Sequence, residues 1–254
     1  MLAIISPAKN LNEKKQEITS EFSIPDHLKE SHELIEVLRG MTSDEIARLM
    51  AVNPKIANLN VERFAKWHLP FTNKNSKQAV LTFNGEVYNG LKASEFSEDD
   101  LLYAQDHLRI LSGLYGVLKP LDLIQPYRLE MGRKLKTKEA KNLYEFWGDK
   151  INIAINQQLQ KQNKRVLINL ASNEYFKSVK PQAIDGKIIT PVFKELKGEE
   201  YKVIVVYAKK ARGLMVRYIL ENRIEDPEQL KMFDSDGYFF SEELSSETEW
   251  VFTR

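Results

Sequence analysis

Leu2–Ala3–Ile4–Ile5–Ser6–Pro7 (LAIISP) is the stretch on which the fold turns. Four apolar residues in a row, cut off by Ser–Pro, read as a buried strand ending in a turn. A second run of the same kind, Arg165 to Leu170 (RVLINL), is followed by Ser172, which reads as the N-cap of a helix. Working outward, further strands are predicted at Gln78 to Phe83 (QAVLTF, with Asn84–Gly85 as its turn), Lys187 to Phe193, and Tyr201 to Tyr207 (YKVIVVY). Short strands at Tyr238–Phe239–Phe240 and Glu249 to Phe252 close the chain around an Asp236–Gly237 turn.

Helical spacing alternates irregularly with these runs. Pro25 to Arg39 places Leu28, Leu34, Ile35 and Leu38 on one face, and Gly40 stops it. Thr42–Ser43–Asp44–Glu45 is a capping box for a helix through Met50. Asn53–Pro54 opens another, with Ile56, Leu59 and Phe64 as its expected core face. Ser97 to Asp100 caps a helix expected to run through Leu111 with Leu101, Leu102, Leu108 and Leu111 buried. Leu143 to Gln160 and Lys209 to Asn222 complete the set, the latter burying Ala211, Leu214, Met215, Tyr218 and Ile219 on one side. Helices and strands are mixed, without the regular alternation of a doubly wound Rossmann sheet. The expectation is one compact mixed α/β domain over residues 1–254, with the early helices as an arm.

Composition removes several chemistries. None of the 254 residues is cysteine, which excludes disulfides, thiolate metal sites and thiol nucleophiles, and with them the thiol route for destroying peroxide. No P-loop or dinucleotide fingerprint is present, and no cofactor is expected. The four histidines lack the i, i+4 spacing of a metal pair, so no metal site is expected. The carboxylates Asp234, Asp236, Glu242 and Glu243 read as a solvated acidic face rather than an iron site. No stretch of eighteen apolar residues and no secretory n- and h-region are found, so no membrane contact and a cytoplasmic location are expected.

A formal net charge of +1 hides strong segregation. Residues 127–141 carry +4, residues 201–223 carry +5, and residues 224–254 carry −7. Three basic stretches offer anion sites. Pro126–Tyr127–Arg128 sets an aromatic beside a guanidinium, or makes an Arg128–Glu130 salt bridge on a loop. Asn169 to Pro181 offers the amides at Ser172, then Lys177 and Lys180 on one helix face, with Lys9 able to join from the first turn. Glu174 or Tyr175 is the candidate proton carrier there. Lys209, Lys210 and Arg212 crowd the expected first turns of a helix, against the macrodipole preference for acids, which suggests an anion at that end.

The pieces SPAKN (6–10), FNGEVYNGL (83–91), HLRILSGLYGVLKPLDLIQPYRLEMG (107–132), NLASNEYFKSVKP (169–181), YAKKARGLMVRYILENR (207–223) and DGYFF (236–240) resemble the YaaA family over nearly the whole chain. That resemblance implies peroxide-stress proteins that limit damage from unincorporated iron, with a mixed α/β fold, a positively charged cleft and a helix-hairpin-helix element that binds duplex DNA. The element is placed at residues 49–67, where Ala51 stands at the position that motif gives to glycine. Ala51, Val52 and Lys55 would then offer phosphate contacts, flanked by Arg63 and Lys66. Two functions stay open: a sequence-independent duplex DNA-binding protein, and an enzyme acting on a nucleobase, nucleotide or other small anion in the basic cleft.

Overall fold

In the computed structural model, which describes residues 1–14 and 18–254, the LAII run lies inside an eight-stranded sheet. The strands are β1 (Leu2–Ile5), β2 (Leu108–Ser112), β3 (Gly116–Leu118), β4 (Val166–Leu170), β5 (Lys187–Lys197), β6 (Glu200–Lys202), β7 (Phe239–Ser241) and β8 (Glu249–Thr253). Their spatial order is β7-β8-β5-β4-β1-β2-β3, with β6 folded back on β5. The five strands β8, β5, β4, β1 and β2 are parallel, and β3, β6 and β7 add antiparallel pairs. Strand β1 is paired on both sides, Ile4 lying between Arg109 and Asn169, and every residue of β1, β2 and β4 is buried. Unbroken apolar runs are what strands covered on both faces require. From β1 the chain goes to β2 on one side and then to β4 on the other, so the strand order reverses at β1.

The longer helices are α1 (Leu28–Arg39), α2 (Ser43–Met50), α3 (Pro54–Lys66), α4 (Glu86–Leu91), α5 (Glu98–His107), α6 (Lys150–Leu159) and α7 (Val205–Glu221). The Thr42–Glu45 capping box closes in both directions, as its sequence predicts. Helices α1 to α3 bury Leu34, Ile35, Leu38, Ile46, Met50, Ala57 and Phe64 in the common core.

Five expectations are corrected. Helix α5 ends at His107, not Leu111, because Leu108 to Ile110 pair with β1, and backbone pairing in the sheet centre outweighs helical spacing. QAVLTF is no continuous strand. Lys77–Gln78 pairs with Leu123–Ile124, Ala79–Thr82 makes one helical turn, and Phe83–Asn84 pairs with Asn10–Leu11. The Thr82 hydroxyl donates to the Gln78 carbonyl across that turn at 2.7 Å, and a run this short carries no period to distinguish helix from strand. Leu143 to Gln160 divides at Gly148 (φ 51) into Leu143–Trp147 and α6. In YKVIVVY only Tyr201–Lys202 extends, as part of β6. Val205 to Tyr207 open α7, whose Gly213 packs backbone to backbone on α4, and that helical register runs back through the valines. Leu59 and Leu102, expected in the core, are exposed, and Ala57 and Ala104 point inward instead.

Candidate functional site

Strands β1 and β4 end side by side, which brings Ser6 against Ser172. The Ser172 N–H donates to Ser6 Oγ at 2.9 Å and the two hydroxyl oxygens lie 3.2 Å apart. The Tyr88 hydroxyl donates to the Ser6 carbonyl at 3.1 Å and so ties α4 to the same point. Ser172 has the extended backbone of an N-cap, but its side chain caps nothing. Its amide is already taken by Ser6. The helical turn behind it is four residues long, Asn173–Phe176.

Over this edge lies a cavity of about 570 Å³, with walls drawn from residues 6–10, 84–88, 127–130, 170–175 and 203–212. Tyr88, Tyr127 and Tyr175 are buried in its wall, and burial pushes all three phenols well above their ordinary value. They are therefore neutral, and Tyr127 is also hydrogen-bonded to Ser112 at 2.7 Å.

Charge in the cavity is organised around two centres. Glu130 is buried, and its Oε1 accepts Arg128 at 3.0 Å, with Lys9 and Arg133 each at 3.5 Å. Burial alone would raise the Glu130 carboxyl, but the Arg128 hydrogen bond and the nearby guanidinium charges outweigh it and hold the group below its ordinary value. The second centre is on α7. Arg212 and Lys209 line the cavity, and among the described residues neither has a carboxylate within 4 Å or a hydrogen-bond partner. Arg212 is half-buried, and desolvation lowers its pKa from the usual guanidinium value. Both side chains owe their position to α7 lying on α4 through backbone, at Gly90 and Gly213.

The α2–α3 hairpin is a separate feature. Ala51, at the C-cap of α2, takes the left-handed conformation (φ 51, ψ 57) that costs a residue with a Cβ about 1–2 kcal/mol. The Ala51 N–H donates to Arg48 O at 3.3 Å and the Val52 N–H to Ala47 O at 3.1 Å. Those two amides, expected to contact phosphate, are thus spent inside the hairpin. Asn53 caps α3 by accepting from Ile56 N–H at 2.9 Å. Among the described residues no acceptor falls to the N–H of Asn53 or Lys55. Lys55 and Lys66 are exposed, whereas Arg63 is held by Glu13 at 2.5 Å.

A family model described as peroxide stress protein YaaA matches residues 1–244. Over its full length the chain is 54% identical to a UPF0246 protein of Alteromonas mediterranea and 52% identical to one of Azoarcus sp., covering 98% and 99% of those proteins. A UPF0246 protein of Aliivibrio fischeri is 54% identical, again with 98% of its length covered. The chain belongs to the YaaA family of peroxide stress proteins.

Five of the segments that carry the YaaA resemblance meet at one place, since SPAKN, NGEVY, PYRLE, the start of NLASNEY and the first turns of α7 all line the cavity. Of the basic residues expected at the anion cleft, Lys9, Arg128, Lys209 and Arg212 come together there, with Ser172. Three do not. Lys180 pairs with Asp149 at 2.5 Å, Lys210 pairs with Asp236 at 3.2 Å, and Lys177 is exposed away from the lining. The macrodipole argument for α7 also falls, because the helix begins at Val205 and its bases stand beyond the first turn. Glu174 is occupied in holding a loop, its Oε1 accepting Gly132 N–H at 2.9 Å. Ser6 and Tyr88 were not singled out by sequence. The available signal was that both buried strands end in serine one or two residues on, at Ser6 and Ser172. Among the described residues no three His, Asp or Glu side chains gather as metal ligands, and no helix is long and apolar enough to cross a membrane.

Proposed function

We propose that this YaaA-family protein acts in peroxide stress by binding duplex DNA without sequence preference, through the α2–α3 hairpin. The observation that carries the reading is the turn itself: Ala51 is held left-handed, and among the described residues the amides of Asn53 and Lys55 have no acceptor, beside exposed Lys55. An N-terminus of a thirteen-residue helix with free amides and a lysine on its first turn is a phosphate site, and phosphate contacts confer no sequence information. Lys66 extends the basic surface at the other end of α3. Lacking cysteine, the chain does not consume peroxide by the thiol route, so its protection, including any limit on iron-driven damage, runs through what it binds.

Titrating labelled duplexes of unrelated sequence at several salt concentrations tests this. Affinity should be alike for all and fall steeply with salt. Lys55→Ala should weaken every duplex and lower the salt slope by about one. Absence of binding at low salt, or a slope that ignores Lys55, removes the proposal.

A further inference from the structure

We infer that the cavity at the β1–β4 edge is a binding site for a nucleoside monophosphate, with the phosphate on Arg212 and Lys209 and the base against the tyrosine-rich wall. The inference goes beyond the DNA reading and does not rest on it.

The cations come first. A half-buried guanidinium without a counter-ion is costly, and buried charges in folded proteins are paired. The cavity holds carboxylates, yet among the described residues none serves Arg212. Glu130 is taken by Arg128, Arg133 and Lys9, Glu174 is taken by the Gly132 amide, and Glu86 accepts from Asn89 at 3.3 Å. Lys209 and Arg212 are three residues apart on α7, so they share a helix face. A planar fork beside a mobile point charge fits a tetrahedral dianion, and fits it better than a single carboxylate.

Position and size fix the rest. Ligands of open parallel sheets bind beyond the carboxyl ends of the strands, where the strand order reverses, and this sheet reverses at β1. A cavity of about 570 Å³ is in the range of small-molecule sites. Its walls include Tyr88, Tyr127 and Tyr175 with Val87, Leu129 and Val205, which favours a flat, partly apolar body. The Ser6 and Ser172 hydroxyls supply polar contacts suited to a sugar. A phosphate joined to a sugar and a planar heteroaromatic ring meets all three requirements.

Calorimetric titration of the full-length protein with the four common ribonucleoside monophosphates, inorganic phosphate and adenosine tests the assignment. At least one mononucleotide should bind saturably, and more tightly than either phosphate or nucleoside alone. Arg212→Ala should weaken it about ten- to hundredfold, the effect of losing a charge-assisted bidentate contact, and Arg212→Lys should recover part of the loss. Lys209→Ala, at an exposed position that folding tolerates, should weaken it less but measurably. Lys210→Ala, on the Asp236 side of the helix, and Lys55→Ala, in the hairpin, should leave nucleotide binding unchanged. The assignment is overturned if no mononucleotide binds, if inorganic phosphate binds as tightly as the best nucleotide, or if neither Arg212→Ala nor Lys209→Ala changes the affinity. Loss of nucleotide binding in Lys55→Ala would also overturn it. Failure of duplex binding alone leaves it standing.

Discussion

Gly213 of α7 lies so close to Val87 of α4 that a Cβ built at 213 would stand 1.8 Å from the Val87 carbonyl oxygen and 2.8 Å from the Leu91 nitrogen. The contact is reciprocal, since a Cβ at Gly90 would stand 2.2 Å from the Lys210 carbonyl oxygen. Backbone meets backbone at both points, so no side chain can move aside. Gly213→Ala should therefore cost about 3 kcal/mol or more in urea unfolding, at the upper end of overpacking effects. Gly198→Ala is the control: its φ is +68 but nothing lies within 4 Å, and the left-handed penalty alone should cost about 1–2 kcal/mol. Equal losses at the two positions would show that helix contact is not what Gly213 provides.

Glu130 gives a pH signature. Its carboxyl is held below the ordinary value of 4.5, because the Arg128 hydrogen bond and the guanidinium charges outweigh burial. A carboxyl lowered on folding contributes stability that is fully present above its unfolded value and is lost as pH falls through its folded one. Wild-type stability should accordingly decline below about pH 4.5, and Glu130→Gln should remove part of that decline. At neutral pH the same variant leaves Arg128, nearly buried, without its counter-charge, for a loss of about 3 kcal/mol. Urea midpoints for both proteins between pH 3 and 7 would check this on the roughly linear scale of denaturant unfolding. A variant parallel to wild type through the acid range would remove the ion cluster from the account.

The strand runs at the sheet centre were legible because burial on both faces leaves an unbroken apolar signature, as in LAII and RVLINL. Caps were legible because they are local chemistry, as at Thr42–Glu45 and Asn53. What misled was β-branched content. Val203, Val205 and Val206 carry strand propensity, but α7 packs through Gly213 on Val87 and Leu91 of α4, more than a hundred residues earlier, and no local spacing shows that contact. The cavity was half legible for a related reason. Which bases meet depends on the strand order, and no spacing in the chain separates Lys209, which faces the cavity, from Lys210, which faces Asp236.

Ser6 and Ser172 look equivalent in the sequence, and the structure makes them unequal. Ser6 Oγ accepts the Ser172 amide at 2.9 Å, so Ser6→Ala leaves a partly buried N–H without an acceptor and should cost about 1–2 kcal/mol. Ser172→Ala removes only the hydroxyl contact at 3.2 Å and should cost about 0.5–1 kcal/mol. Chemical denaturation of the two variants decides the matter, and a larger loss at Ser172 would show that accepting the Ser172 amide is not what Ser6 contributes.

The hairpin offers the last prediction, through the residue that departs from the glycine of the motif. Ala51 sits at φ 51, where its Cβ costs about 1–2 kcal/mol, while glycine there would give back about 0.4–1 kcal/mol through the freer unfolded chain. Ala51→Gly should then stabilise the protein by roughly 0.5–1 kcal/mol, or about 1–4 °C in Tm for a chain of this length. Because the turn is already formed, duplex affinity should stay within about twofold of wild type, well inside one tenfold step of 1.4 kcal/mol. Ala51→Val should do the opposite, since a β-branched side chain tolerates positive φ least, and it should lower both Tm and duplex affinity. If glycine destabilises and valine is neutral, Ala51 is not left-handed, and the proposed phosphate site loses the turn geometry it rests on.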